Sequence, residues 1–247
     1  MSDLTQENGM GSYEPADQPQ LTIPKDLWLE FTNRCNELEI PLMDNAYTLI
    51  NNLYSHLVGV NRWLNLTRLV TVQEYLRLHL LDSLMIVGHP LLASLEEGDR
   101  CVDLGAGSGY PGLALMSWYP YLRWSLVDSR KKKVEYLKRA VKLTPCIEAE
   151  ALHFRGREVA NAAPHLACRA SLVVARAVGQ TGKLLDEVNP ILCKHGYLMV
   201  YKGPAYDGDE HKEALKRCKK LKFEHCATEE VDLDGTEKRI IVTFQKK

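Results

Sequence analysis

Residues 100–118 read RCVDLGAGSGYPGLALMSW, and no other stretch restricts the fold so sharply. Cys101, Val102 and Leu104 make a short apolar run that stops at Gly105. Glycines follow at 105, 107, 109 and 112, and Leu113, Leu115 and Met116 then resume an apolar pattern of helical length. A short apolar run, broken by glycines and followed by a helix, predicts a strand, a tight turn and a helix in succession. Glycine accepts positive φ and lets a ligand approach backbone amides that a side chain would cover. The turn is therefore a candidate binding loop.

The same alternation continues downstream. RWSLVDS (123–129), ASLVVARA (170–177) and GYLMVYKG (196–203) read as strands, and CIEAEAL (146–152) as a weaker one. Helices are expected over 130–143, with Val134, Leu137 and Val141 as the buried stripe, over Thr181–Val188 and over Glu210–Leu221. Runs near Phe223–Leu233 and Lys238–Phe244 predict an antiparallel hairpin turning at Asp234–Gly235. Strands alternating with helices predict an α/β, doubly wound, mainly parallel sheet.

The first ninety residues have a different texture. Residues 1–24, rich in Gly, Pro, Asn, Gln and acidic groups, read as a flexible leader. A helix is expected from Asp26 through Leu27, Trp28 and Phe31, with Leu38 and Ile40 continuing it. A second runs from Asp44 to Leu57 with Ala46, Leu49, Ile50, Leu53 and Leu57 on one face, and NRWLNLT (61–67) reads as a connector. The third opens at Thr71 as N-cap, with Glu74 completing a capping box. The expected organisation is a leader (1–24), a helical extension (25–97) and a sheet domain (98–247).

Composition excludes several classes. With 31 basic against 32 acidic residues the net charge is -1, which argues against a histone-like cationic protein. Seven cysteines occur without any CxxC or zinc-finger spacing, so no metal site is expected, and most of them are expected to be buried thiols in a reducing compartment. No run of 18 apolar residues occurs, and the amino-terminal stretch lacks an apolar signal region; the expectation is a cytoplasmic protein with no membrane segment.

The glycine loop can be read in two ways. Gly107-x-Gly109-x-x-Gly112 matches the dinucleotide fingerprint, with Asp128 at the next strand end placed for a ribose. Asp103-x-Gly105-x-Gly107-x-Gly109 equally matches the methyl-donor loop of class I methyltransferases, again with Asp128 as the ribose acid. The glycines alone do not separate them, and Asp128 can also cap the following helix.

A wider pattern carries a resemblance. NRWLNLT (61–67), LHLLDSL (78–84), VDLGAGSGYPGLALMSWYP (102–120), LVDSRKKKVEYLK (126–138), VVARAV (173–178) and YKG (201–203) occur in one order over about 145 residues. In that order they resemble the ribosomal RNA small subunit methyltransferase G family, also called glucose-inhibited division protein B. The resemblance implies a Rossmann-like class I methyltransferase sheet with an antiparallel C-terminal strand and a helical N-terminal extension. It implies S-adenosylmethionine as cofactor and guanine N7 in the 530 loop of 16S rRNA, or of the small ribosomal subunit, as substrate. No obligate protein partner is implied. Carried onto this chain, donor-binding positions fall at Asp103, Gly105, Gly107, Gly109, Tyr110, Asp128 and Arg176. The pair after the third strand falls on Gly156–Arg157 or on Arg157–Glu158, depending on one gap. The chain departs from the family's pattern there, at Val60 where tryptophan is usual and at Leu78 where arginine is.

Guanine N7 already carries an in-plane lone pair, so no proton must leave before it is methylated and no general base is required. His79 and Asp82, which share a helical face at i,i+3, and Arg176, which as a buried cation needs a partner, are the candidate polar residues of the cleft. Asn65 and Thr67 are expected either there or fixing their loop by backbone hydrogen bonds. Two basic stretches bear on an RNA substrate. The first contains Arg130, Lys131, Lys132, Lys133, Lys138, Arg139 and Lys142, and the second runs from Lys212 to Lys222. Lys202 is expected to contact a phosphate or to stay solvated.

Overall fold

The computed structural model describes residues 20–206, 208–233 and 235–247. Its strands are β1 (Arg100–Leu104), β2 (Arg123–Asp128), β3 (Ala149–His153), β4 (Ala170–Arg176), β5 (Leu192–Lys202), β6 (Phe223–Asp232) and β7 (Lys238–Lys246). They form one sheet in the order β3-β2-β1-β4-β5-β7-β6. The first five pair in parallel, and β7 enters antiparallel between β5 and β6. The central strands β1 and β4 are buried almost throughout, which is why their sequences read as apolar runs instead of alternating. Chain order reverses between β1 and β4, and the crevice beyond their carboxyl ends is the topological switch point where such sheets bind ligands.

Among the described residues six α-helices of seven or more residues surround this sheet: α1 (Lys25–Glu37), α2 (Ala46–Leu64), α3 (Gly112–Trp118), α4 (Lys131–Ala140), α5 (Thr181–Val188) and α6 (Gly208–Leu221). Leu49, Ile50, Leu53, Leu57 and Val60 recur at helical spacing along α2 and are all buried. Each such leucine or isoleucine contributes about 1.5–3 kcal/mol on leaving water. They join one continuous core with Leu113, Leu126 and Leu137, so the helical extension packs directly on the sheet domain. The opposite face is covered by Leu184, Leu185 and Val188 of α5 and by Ala214 and Cys218 of α6.

Several local expectations are corrected. Leu38 and Ile40 do not continue α1: Glu39 takes φ +55, and the amides of Glu39 and Ile40 bond back to Asn36 and Cys35, a Schellman-type stop. Asn61–Leu64 belong to α2, so the connector begins only at Asn65, the left-handed cap at φ +47. The helix opened by Thr71 has the expected capping box, but it passes from an α-turn (Val72–Glu74) into a π-helix (Tyr75–Leu81) before a last α-turn (Asp82–Leu84). β5 starts at Leu192, with His195 at φ +65 where its pairing with β4 slips. Most of the expected leader (1–19) and Asp234 of the expected turn lie outside the described residues. Of the leader's remainder, Ile23 is fully buried and its amide donates to Asn51.

Candidate active site

A cleft of about 670 Å³ opens at the switch point. Its floor is the turn after β1. Gly105, Gly107 and Gly109 take φ of +81, +57 and +94, values that side-chain-bearing residues rarely adopt. A Cβ on Gly105 would strike Val178, and one on Gly109 would strike Leu113. Asp128, at the end of β2, holds this turn: its Oδ2 accepts from the Gly107 amide at 3.0 Å and its Oδ1 from the Arg130 amide at 2.8 Å. Two such bonds leave a carboxylate lone pairs to spare, and Asp128, though only 8% exposed, lines the cleft. The turn-fixing and ligand-facing readings of Asp128 are therefore compatible.

Asp103 sits beneath the turn and not in the cleft. It is fully buried, and its Oδ2 accepts from the Gly112 amide at 2.7 Å. Its Oδ1 has no hydrogen-bond partner among the described residues. Burial pushes this carboxyl up to about 7, against the lowering effect of the Gly112 amide and of Arg176. Tyr110 lines the cleft wall, its hydroxyl 2.7 Å from that of Tyr75.

Three polar residues expected in the cleft meet there. Arg176, at the end of β4, donates to Asp82 Oδ2 and to the Leu78 carbonyl, both at 2.9 Å, and lies 3.4 Å from His79 Nδ1. The His79 Nε2 faces Thr67 Oγ1 at 3.3 Å. Burial, with the Arg176 charge adding to it, lowers His79 to about 3, so the imidazole is neutral at physiological pH. Asp82 is only 2% exposed, and its second oxygen accepts from Arg239 Nε at 2.8 Å. One buried carboxylate thus holds two guanidinium groups, one from β4 and one from β7. Arg239 lines the cleft and was not singled out from the sequence. An arginine in an ordinary alternating strand carries no local signature, and its placement follows from β7 pairing beside β5.

The remaining candidates separate. Gly156, Arg157 and Glu158 form a short 3₁₀ turn after β3 and do not line the cleft. Gly156 lies against Glu187 of α5, and Glu158 turns back to cap the Arg155 amide. Lys202 also lines the cleft, where its ammonium bonds Glu210 at 2.6 Å and the Gly179 carbonyl at 3.0 Å. Arg130 and Lys133 line the cleft, Lys131 and Lys132 are exposed beside them, and Lys138 pairs with Glu135. Arg139 lies half-buried farther along α4. In the second basic stretch Lys212, Lys216 and Arg217 are paired with Asp209, Glu213 and Asp186. Asn61, not Asn65, fixes the connector, bonding both the amide and the carbonyl of Thr67. Among the described residues no cluster of three His, Cys, Asp or Glu side chains is placed to hold a metal ion.

Residues 46–241 match the family model described as GidB, rRNA small subunit methyltransferase G. The chain belongs to the ribosomal RNA small subunit methyltransferase G family. Relatives of that name from Lachnoclostridium phytofermentans and Desulfitobacterium hafniense are 31% and 32% identical to it, over 71% and 72% of both chains respectively. Among solved structures it is similar to geranyl diphosphate methyltransferase in complex with GPP and sinefungin, at a TM-score of 0.53 and 12% identity, covering 73% of this chain and 82% of that one. It is also similar to M. jannaschii TYW2 in complex with AdoMet, at a TM-score of 0.50 and 17% identity, covering 64% and 74%. These likenesses show the class I methyltransferase fold, and the family match extends it to rRNA methylation. Both Arg176 and Arg239 fall within the matched residues, so the Asp82 network belongs to the family's part of the chain. No described helix is long and apolar enough to cross a membrane.

Proposed function

We infer that the protein methylates N7 of a guanine in the 530 loop of 16S rRNA, with S-adenosylmethionine as donor. The observation that carries this reading is the cleft itself: a glycine turn and the Asp128 carboxylate face one open volume at the switch point of a family of rRNA methyltransferases. The residues present fit the donor. Gly105 and Gly107 leave the turn bare of side chains, and Asp128 keeps acceptor capacity for ribose hydroxyls. A volume of this size lies within the range of small-molecule sites, roughly 300–1,000 Å³.

When bound, S-adenosylmethionine supplies a sulfonium-activated methyl group open to in-line attack. The chain's own residues then align and screen. His79, neutral and enclosed by Thr67 and Arg176, is too weak a base to take a proton near neutrality, and N7 attack asks for none. Asp82 fixes Arg176 and Arg239 at the cleft wall, where their charges face the site in which a guanine would be received. Arg130 and Lys133 also line the cleft and add positive charge there, the Arg130 amide bonding Asp128.

Deleting the gene in its host should remove one N7-methylguanine from 16S rRNA. Wild-type protein should restore it and Asp128→Ala should not. Persistence of the mark in the deletion strain would refute the assignment. Calorimetry with S-adenosylmethionine and, separately, with a nicotinamide dinucleotide should give stoichiometric binding for the first alone.

A further inference from the structure

The segment from the last turn of α2 to Val70 forms one lip of the cleft, and its composition is not explained by packing. Leu66 and Leu69 line the cleft from this lip, and Thr67 touches His79. Trp63, three residues before Leu66, is 77% exposed and makes no ring contact among the described residues. Its Cα therefore stands within about 11 Å of chain from the cleft wall. The other tryptophans, at 28, 118 and 124, are buried or half-buried. Arg62 and Arg68, on either side of Trp63 and Leu66, are exposed and form no ion pair among the described residues.

The lip is also held rigid. Asn61 bonds the Thr67 amide and carbonyl, Thr67 Oγ1 accepts from Leu69, Tyr54 donates to the Val70 carbonyl, and Glu74 accepts from the Val70 and Thr71 amides. Holding a large indole in water on a fixed backbone costs contact with solvent and returns no packing. An exposed indole in a segment that also carries two exposed arginines does suit one kind of partner: an unpaired nucleotide, whose base stacks on the ring while its phosphates meet the arginines.

We propose that Trp63, with Arg62 and Arg68, is a stacking platform for a single-stranded nucleotide next to the methylated base, and so a positioning element for the rRNA substrate. The proposal rests on the rRNA-methyltransferase reading above. It adds a named surface that neither the glycine loop nor the Asp82 network supplies. A rigid aromatic shelf outside the cleft holds the neighbouring nucleotide while the target base enters, and it acts on substrate capture and not on the donor.

The test is steady-state methyl transfer onto undermethylated small subunits and onto stripped 16S rRNA, with the wild type, Trp63→Ala, Trp63→Phe and Arg62→Ala/Arg68→Ala. Stacking of one base corresponds to about a 5- to 150-fold change in affinity. Trp63→Ala should therefore raise KM for both RNA substrates within that range, with kcat at saturation and the S-adenosylmethionine Kd unchanged, and Trp63→Phe should restore most of the loss. The double arginine variant should lessen the slope of log affinity on log salt by about 1.4. A wild-type enzyme that methylates while Trp63→Ala keeps the same KM overturns the platform alone. A wild-type enzyme that methylates neither substrate overturns the underlying reading and the platform with it. A Trp63→Ala defect confined to assembled subunits assigns the surface to a ribosomal protein and overturns RNA stacking.

Discussion

Although Arg239 also pairs with Glu237, Asp82 balances two guanidinium groups from different strands. Its carboxylate is nearly inaccessible, while the side chains of Arg176 and Arg239 are 14% and 16% exposed. Removing one member of a buried charge network leaves the rest uncompensated, which typically costs about 3–5 kcal/mol. Asp82→Ala should lose stability on that scale in a urea titration, and a loss below about 1 kcal/mol would show the network to be well hydrated. Asp103 makes a prediction of opposite character. Its folded-state carboxyl stays protonated up to about 7, against an ordinary value of 3.8. Between those values the native state holds a proton that the unfolded chain releases, so this group's contribution to stability is present below 3.8 and lost as pH rises through 7. An amide has no proton to lose. The Tm of Asp103→Asn relative to wild type should therefore rise from pH 4 to pH 8, measured without ligand, and a flat difference would contradict the buried-acid account. At this scale the sequence was legible where a residue type is forced by its position. Glycines 105, 107 and 109 all take positive φ, and Arg176 has the partner that its burial demanded. It was silent on Arg239, whose role arises from strand pairing, and on Glu210, the acidic partner that the next helix brings to Lys202.

The π-helix Tyr75–Leu81 gives the extension its role in the site. A donor reaching into a helix from outside competes for its carbonyls and widens the turn. Arg176 is such a donor, bonding the Leu78 carbonyl within this π-helix while it pairs with Asp82. Nothing in TVQEYLRLHLLDSL announces a π-turn, and the arginine that bonds its Leu78 carbonyl lies 98 residues away in β4. The start of the same helix was legible, since Thr71 and Glu74 form a local box that needs no tertiary partner. Thr71→Ala should remove the bond to the Glu74 amide and cost about 1 kcal/mol, lowering Tm by roughly 2–4 °C in a domain of this size. A scanning calorimetry trace with unchanged Tm would mean that the rest of the lip holds this helix start by itself. The strands were legible for the same reason as the box: β1, β2 and β4 are apolar runs bounded by turn residues. Element ends decided by backbone geometry, at Glu39 and His195, were not.

Over the whole molecule, a net charge of -1 conceals a directed distribution. Arg130 and Lys133 stand at the cleft, whereas three cations of α6 are cancelled by acidic neighbours. RNA affinity should therefore depend on salt through the first group far more than through α6. Arg130→Ala/Lys133→Ala should lessen the slope of log affinity on log salt by about 1.4 in filter binding, and Lys212→Ala/Lys216→Ala by much less. Equal slopes for both pairs would show that the α6 lysines also contact RNA. The long-range ties set an order of events as well. Arg34 bonds the carbonyls of Asp232 and Leu233, Arg77 bonds Thr236, and Asp82 pairs with Arg239, 157 residues later in the chain. At about 5–20 residues per second, Asp82 leaves the peptidyl-transferase centre roughly 8–30 s before its second arginine has been made. The wall of the cleft is thus finished only when the hairpin arrives, and a chain stalled before residue 239 carries the glycine loop but only half of the charge balance that the loop faces.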